Sequence, residues 1–450
     1  MTYGRYLMKI LWLCNLIIPQ AAEKLGIKGI PKEGWVEGLL EAMSERLEEH
    51  TLAVAFPVGE EHDEERGSFL LHGESGPEIS YYCFYEDTTH PEIYDVSLEN
   101  SMSRILDEFR PDIIHIFGTE FPHALAMSRA AGDVDFHYHP GKEKVLITFQ
   151  GVCAAIAGDY MACLPEKVIG YATFRDTVRK DSLKQQQEKF RARAVNELEA
   201  LKGAGHIGGR TSFDRKWAER LGENAKYHYA GEVMRPVFYE PVTEEVKRNP
   251  NTIFIAGADY PLKGLHILLK ALEGTKWPQV RVRIAGQDIV TASSLSKKIR
   301  ISGYGKYLQD LIKSTGLERK VTFLGRISAS QMREEYLKCG MFVCPSSIEN
   351  SPNSIVEAAL MGAPVIASRV GGIPDVLEDK TQCLLFDYNR QSLDEVAENL
   401  RKCILNVKSD RSAATERARA ARARVLREHD PEVVASGIFT IYSEMNGSDT

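Results

Sequence analysis

The sequence predicts an α/β fold built from doubly wound parallel sheets. Two observations carry this. Apolar runs of strand length recur along the chain, and amphipathic helical stretches separate them, the alternation expected when helices cover both faces of a parallel sheet. Several runs are apolar without interruption, as strands are when neither face meets water. With 450 residues the chain has length for two or three domains, each with its own core.

Taken in order, the expected strands are "KILWLCN", "TLAVAFPV", "DIIHIFG" and "KVLITFQG", then "TIFIAG", "RVRIAG", "VTFLGRI", "MFVCPS" and "APVIASR". "GWVEGLLEAMSERLEEH" and "GLHILLKALEG" are among the helical patterns between them. The start, "MKILWLCNLIIPQAA", has the outline of a short signal peptide. Its apolar stretch is broken by Cys14-Asn15, stops at Pro19 and is too short to span a bilayer. A first buried strand is the better reading, with Met8 as an alternative start. The polar, proline-containing stretch from Tyr239 to Thr252 marks a boundary before a fresh strand. The expected partition is 1–240, 241–425 and a last helix, 426–450, packing back on the first domain.

Apolar residues make up 43% and charged residues 26%, an ordinary soluble composition. The net charge of −7 gives a nucleic-acid partner no support. None of the eight cysteines forms a Cys-x-x-Cys pair, so they read as reduced, mostly buried thiols of a cytoplasmic protein. "RSAATERARAARARVLREHD" is a basic helix. Its main reading is a solvated helix packed through its alanines; the second is peripheral contact with an acidic membrane face.

The most informative stretch is "SSIENSPNSIVEAALMGAPVIASRVGG", Ser346 to Gly372. It reads as loop, helix, strand, with Ser351 as N-cap, Pro352 at the first helical position, and Gly362 with Pro364 ending the helix. In one continuous helix Glu349 and Glu357 would differ by about 80° around the axis and about 12 Å along it, too far apart to serve one ligand group. With Glu349 in the loop, the two carboxylates address two parts of a ligand. Pro352 has no N–H, so the helix start offers those of Asn353, Ser354 and Ile355 to an anion between them. Hydroxyls at two ends and phosphate in the middle describe a nucleotide sugar. A solvated Glu349 and a lysine-paired Glu357 are the bland alternative.

The surrounding pattern resembles the retaining glycosyltransferases of family 4, of GT-B fold. Glu349 and Glu357 with seven residues between, "AALMGAPV" and Gly371-Gly372 correspond to the family's signature, and "VTFLGRISASQMREEYLKCGMFVCPSSIE" to the block before it. The resemblance implies two Rossmann-like, doubly wound domains facing across a cleft, an acceptor domain first and a donor domain second, with a C-terminal helical segment. It implies that Glu357 binds the donor ribose, that Glu349 contacts the transferred sugar, and that Lys263, in "GADYPLKG", is the cation on the diphosphate. Carboxylates suit the first two roles because each accepts several hydroxyl hydrogen bonds. No metal or other cofactor is expected.

Departures from the family pattern leave roles to fill. Ala258 stands where the family has an arginine, and Arg326 and Arg210 are candidate replacements; an Arg210–Asp214 surface pair is the plainer reading of the latter. Gly34 fits the glycine loop after the first strand. Gln150 stands where many members have histidine; it can bond a sugar hydroxyl but cannot titrate. Glu120 and His123, after "DIIHIFG", are acceptor-side candidates, a loop glutamate and a satisfied histidine being the alternative. "GDVDFHYHPGK" carries Asp133, Asp135, His137 and His139, yet its position between a helix and a strand reads as an irregular polar loop.

The reading is thus a retaining glycosyltransferase, with a nucleotide-sugar donor, UDP-linked, and a glycan or lipid-linked acceptor. The rivals are a non-catalytic GT-B glycan-binding or scaffold protein, motivated by Ala258 and Gln150, and a sugar-nucleotide epimerase of the same fold.

Overall fold

The computed structural model describes residues 7–27, 35–47, 49–59, 67–72, 78–242, 246–257, 259–291 and 301–447. Gly34 and Ala258 lie outside them. The chain divides into two compact units, one of Met1–Ala154, Lys189–Arg235 and Glu428–Thr450, the other of Ala155–Glu188 and Pro236–Arg427. A main crossing at Arg235/Pro236 sits close to the boundary read from composition. Residues Ala155–Glu188, which a linear partition leaves with the N-terminal domain, group with the second unit instead.

The first unit holds β1 (Lys9–Leu13), β2 (Thr51–Val58), β3 (Gly67–His72), β4 (Glu78–Tyr85), β5 (Ile113–Phe117), β6 (Val145–Thr148), β7 (His206–Gly209) and β8 (Lys226–Tyr229) in one sheet of order β3-β4-β2-β1-β5-β6-β7-β8. Every neighbour pair is parallel except β3 with β4. β1, β2, β5 and β6 are buried almost throughout, which is why they could be found as unbroken apolar runs. The closing helix Pro431–Met445 packs in this unit. Its Tyr442 hydroxyl accepts the Trp12 indole N–H at 3.0 Å and meets His115 Nδ1 at 2.7 Å.

The second unit holds β9 (Asn249–Ala256), β10 (Arg281–Ala285), β11 (Val321–Gly325), β12 (Cys339–Cys344), β13 (Val365–Ser368) and β14 (Leu384–Phe386), all parallel, in the order β11-β10-β9-β12-β13-β14. Both units are Rossmann-like, as expected. The arginines of the helix Arg411–Glu428 do not form a solvated face alone: Arg411, Arg422 and Arg424 donate to backbone carbonyls of the same unit.

One local expectation shifts by a residue. The helix after β12 is Asn353–Leu360, with Pro352 as its N-cap and no side-chain cap. Pro352 is extended at ψ 112° and so lies outside the helix, and the buried Ser351 does not cap it. The helix does end before Gly362, at φ +65°. The Asp133–His139 segment is a turn, with the Asp135 N–H donating to Asp133 Oδ1 at 2.9 Å.

Candidate functional site

The second sheet reverses direction between β9 and β12. From adjacent parallel strands, one connection leaves toward β10 and the other toward β13. Open α/β sheets hold ligands at the carboxyl ends of the strands at such a point. Lys263 follows β9 and Glu349 follows β12, so the topology brings together two residues far apart in sequence.

Two glycines make the approach close. After β9 the chain passes through the short turn Pro261–Lys263 to Gly264, at φ +69°, where a Cβ would lie 2.0 Å from the Pro345 carbonyl oxygen. The Ser347 N–H donates to the Leu262 carbonyl at 2.8 Å, which ties this turn to the loop after β12. On the other side, the Gly372 N–H donates to the Glu349 carbonyl at 3.0 Å, and a Cβ on Gly371 would lie 1.9 Å from that oxygen. The lysine turn and the glycine pair of the motif thus clamp the same loop by backbone contact, which a side chain at either position would prevent.

Within the clamp, Lys263 Nζ lies 2.6 Å from Glu349 Oε1, and the Ser346 hydroxyl donates to that same oxygen at 2.7 Å. The Ser346 carbonyl in turn accepts from the Ser368 hydroxyl at 2.6 Å. Lys263 remains 26% exposed and Glu349 13%, so the pair is reachable by a ligand. Burial alone would lower the Lys263 ammonium, but the carboxylate of Glu349 outweighs it and holds the pKa above the usual lysine range. Lysine is therefore charged and ready for an anion.

Glu357 is 5% exposed on the helix Asn353–Leu360. The Tyr336 hydroxyl donates to its Oε2 at 3.2 Å. Tyr336 is fully buried among the rings of Phe238, Phe254 and Phe342, so its hydroxyl has little freedom. At the far end of the helix, Arg422 Nε donates to the Leu360 carbonyl at 2.8 Å and Arg248 donates to that of Met361. Cations on the last carbonyls complement the helix dipole and fix the helix that carries Glu357. At its start the Ile355 N–H is committed to the Pro352 carbonyl at 3.0 Å. This takes the Ile355 N–H out of the expected anion donors.

Arg326 is exposed at the end of β11, two strands from β9 and three from β12. The contributors that sequence reasoning passed over are Ser346, Ser368 and Tyr336. The first two carried a faint signal, a hydroxyl directly after a buried strand in "CPSS" and at the end of "VIAS". Tyr336 carried none, since its partner is decided by packing.

In the first unit the expected residues gather at the carboxyl ends of β5, β6 and β7. A small pocket there is lined by Trp35, Phe117, Gln150, Arg210, Glu232 and Ile438, among others. Arg210 is not on the surface: its side chain is 7% exposed and ion-paired with Glu232, at 3%. Asp214, the partner expected for it, accepts the backbone N–H groups of Arg210 and Thr211 at 2.7 and 3.0 Å, as part of the capping box of the helix Ser212–Leu221. His123 is buried against Glu86, which takes its ring Nδ1 at 2.6 Å and its backbone N–H at 3.0 Å. Glu120 accepts the Thr119 N–H at 2.9 Å, and burial pushes its carboxyl above the usual range. Among the described residues no group of three or more metal-ligating side chains is gathered, and no helix is long and apolar enough to cross a membrane.

Comparison with known proteins agrees with this fold. The chain has the fold of solved GT-B glycosyltransferase structures. Sucrose-phosphate synthase from Thermosynechococcus elongatus superposes with a TM-score of 0.66 at 15% identity, over 98% of this chain and 100% of that one. HepE from Anabaena, in complex with UDP and glucose, gives 0.59 at 19% identity, over 97% and 100%. Residues 240–421 match the model of the family Glycosyl transferases group 1. The chain is 29% identical over 145 residues to a D-inositol 3-phosphate glycosyltransferase of Mycobacteroides abscessus, 32% of this chain and 30% of that protein. It is also 33% identical over 106 residues to the sulfoquinovosyl transferase SQD2 of Arabidopsis thaliana, 23% of this chain and 20% of that protein. The chain therefore matches less than a third of the length of these relatives.

Proposed function

We propose that this protein is a retaining, metal-independent glycosyltransferase that moves a sugar from a UDP-linked donor to a hydroxyl of a glycan or lipid-linked acceptor. The observation that carries the reading is the Lys263–Glu349 pair, partly exposed at the switch point of a group 1 domain. HepE, of the same fold, has been seen with UDP and glucose, which supports the nucleotide. All eight cysteines are free thiols, in keeping with work in the cytoplasm.

The donor diphosphate takes over the Lys263 ammonium from Glu349. Lys263 then offsets the charge that grows on the departing nucleoside diphosphate as the anomeric C–O bond breaks. Glu349, released from the lysine, accepts hydrogen bonds from hydroxyls of the transferred sugar, and Glu357, oriented by Tyr336, accepts those of the ribose. The acceptor hydroxyl attacks from the face the phosphate leaves, and its proton passes to the leaving phosphate oxygen. Gln150 cannot take a proton, so no protein base is needed at that position. The first unit handles the acceptor, with Glu120, His123 and Arg210 shaping that side.

The test is transfer by the purified protein from a panel of UDP-, GDP- and ADP-sugars to glycan and lipid-linked acceptors, with product anomers resolved by NMR and a parallel series in EDTA. Transfer from a UDP-sugar, with retained configuration and undiminished by EDTA, is expected. Inverted product, loss in EDTA, or no transfer would sink the corresponding part of the reading.

A further inference from the structure

Tyr260 stands at the start of the turn that carries Lys263. It is the N-cap of Pro261–Lys263, in extended backbone at φ −143° and ψ 159°. Tyr260 is 37% exposed, and the Lys263 ammonium lies 5.9 Å from its ring centroid. Glu349 Oε1 holds that same ammonium at 2.6 Å. The tyrosine therefore borders the Lys263–Glu349 pair and is open to solvent. The ammonium attracts the phenol and hydrogen-bonds to it, yet burial and the carboxylates of Glu349 and Asp259 outweigh this and hold the phenol above the usual tyrosine range. At neutral pH Tyr260 keeps its proton.

That proton is unspent. An ammonium has three donors and no acceptor, so toward Lys263 the phenol oxygen can only accept. The Tyr260 hydroxyl donates to no protein group among the described residues. An O–H donor beside a partly exposed cation suits an anion with several oxygens. A diphosphate ester offers acceptors alone, and it gains from the lysine charge as well as from the hydroxyl. A sugar hydroxyl gains little from the charge. The position also has a role to fill. Ala258, two residues earlier, offers no cation where the family pattern has an arginine. Of the candidate replacements, Arg210 is buried in its pair with Glu232, and Arg326 follows β11, which is two strands from β9. We propose that Tyr260 is a donor-binding residue whose hydroxyl donates to the diphosphate beside Lys263 and supplies part of what the missing arginine would. The inference rests on the donor reading above and adds a neutral hydrogen-bond donor to its one lysine.

The experiment is calorimetric titration of the full chain, wild type and Tyr260→Phe, with UDP and with uridine, and thermal melts alongside. Tyr260→Phe keeps the ring and removes only the hydroxyl. It is expected to weaken UDP by about ten-fold, the loss for one hydrogen bond to a charged group, and to leave uridine, which has no phosphate, within about two-fold. Its melting temperature is expected to match the wild type. UDP affinity kept within about two-fold, an equal loss for uridine, or a melting temperature that falls along with the affinity would overturn the role of Tyr260 while leaving the donor reading intact. Binding of no nucleotide at all by the wild type would bring down the donor reading, and this inference with it.

Discussion

The two units place charge at the carboxyl ends of similar sheets in opposite ways. In the second, Lys263 and Glu349 are 26% and 13% exposed, and one carboxylate oxygen holds both the ammonium and a serine hydroxyl. In the first, Arg210 with Glu232 and His123 with Glu86 are paired at no more than 7% exposure of any side chain. A partly exposed pair can be exchanged for a ligand's charges. A buried pair cannot be opened without leaving one charge desolvated and alone. The lesson is that a charged residue near a strand end is not a ligand-binding group by position alone; how its partner is buried decides.

The largest effect expected from this contrast is on turnover. Lys263→Ala is predicted to reduce kcat by about 10²- to 10³-fold, the size seen when one group stabilising transition-state charge is removed, with little change in melting temperature. Glu349→Gln is predicted to act in the same range on kcat. Steady-state kinetics with the best donor checks both, and wild-type turnover in either variant would break the comparison at the second unit.

Arg210→Met is predicted to do the reverse. It leaves Glu232 buried without its cation and costs about 3–5 kcal/mol of stability, measurable by denaturant unfolding. The double change Arg210→Met with Glu232→Leu is predicted to recover most of that loss, because the isolated charge is gone. If Arg210→Met melted like the wild type and lost only acceptor binding, the buried pair would be a binding device after all.

A smaller effect is expected at Glu357. On the ribose role proposed for it, Glu357→Gln is predicted to raise the donor KM by about ten-fold, since a charged acceptor becomes a neutral one. Tyr336→Phe removes only the hydroxyl that orients it and is predicted to raise the donor KM by roughly two- to five-fold, with kcat kept. Kinetics at varied donor concentration separates the two.

The last effect concerns pH and applies to both units alike. His115 in the first and His266 in the second are fully buried, and burial pulls each down to about 3. In the unfolded chain a histidine takes a proton near pH 6.5. Below that pH the unfolded state binds more protons than the folded one, so stability present at neutral pH falls as the pH drops from about 6.5 toward 3. His115→Gln and His266→Gln are each predicted to remove one proton's share of that slope, at most about 1.4 kcal/mol per pH unit. Melts between pH 7 and 4 measure it, and an unchanged slope would show that the imidazole is already charged in the fold.

Much of the fold was legible because it rests on local patterns. β1, β2, β5, β6, β10, β11 and β13 fall within apolar runs read directly from the chain, and β9 and β12 begin two or three residues before theirs. The strands passed over are those with weak local signals. β7 is "HIGG", β8 is the polar edge "KYHY" and β14 has three residues. β3 and β4 form an antiparallel pair with no helix between them, so the strand–helix alternation does not point to them. At the candidate site, the placement of Glu349 in a loop and Glu357 in a helix was legible from their spacing, and the Pro352 start was off by one residue because a proline can sit at the N-cap as well as at the first helical position.

By itself the sequence determined what short-range physics encodes: the apolar runs, the helix periods, the glycines that need positive φ, and a motif whose spacing places one carboxylate in a loop and one in a helix. The tertiary structure alone decided the partners. Strand order carries Lys263 to Glu349 across 86 residues of chain, and packing sets Tyr336 on Glu357, Arg210 on Glu232 and Glu86 on His123. Periodicity specifies which face of an element is buried, but not which residue of a distant element it meets there; sheet order and register settle that.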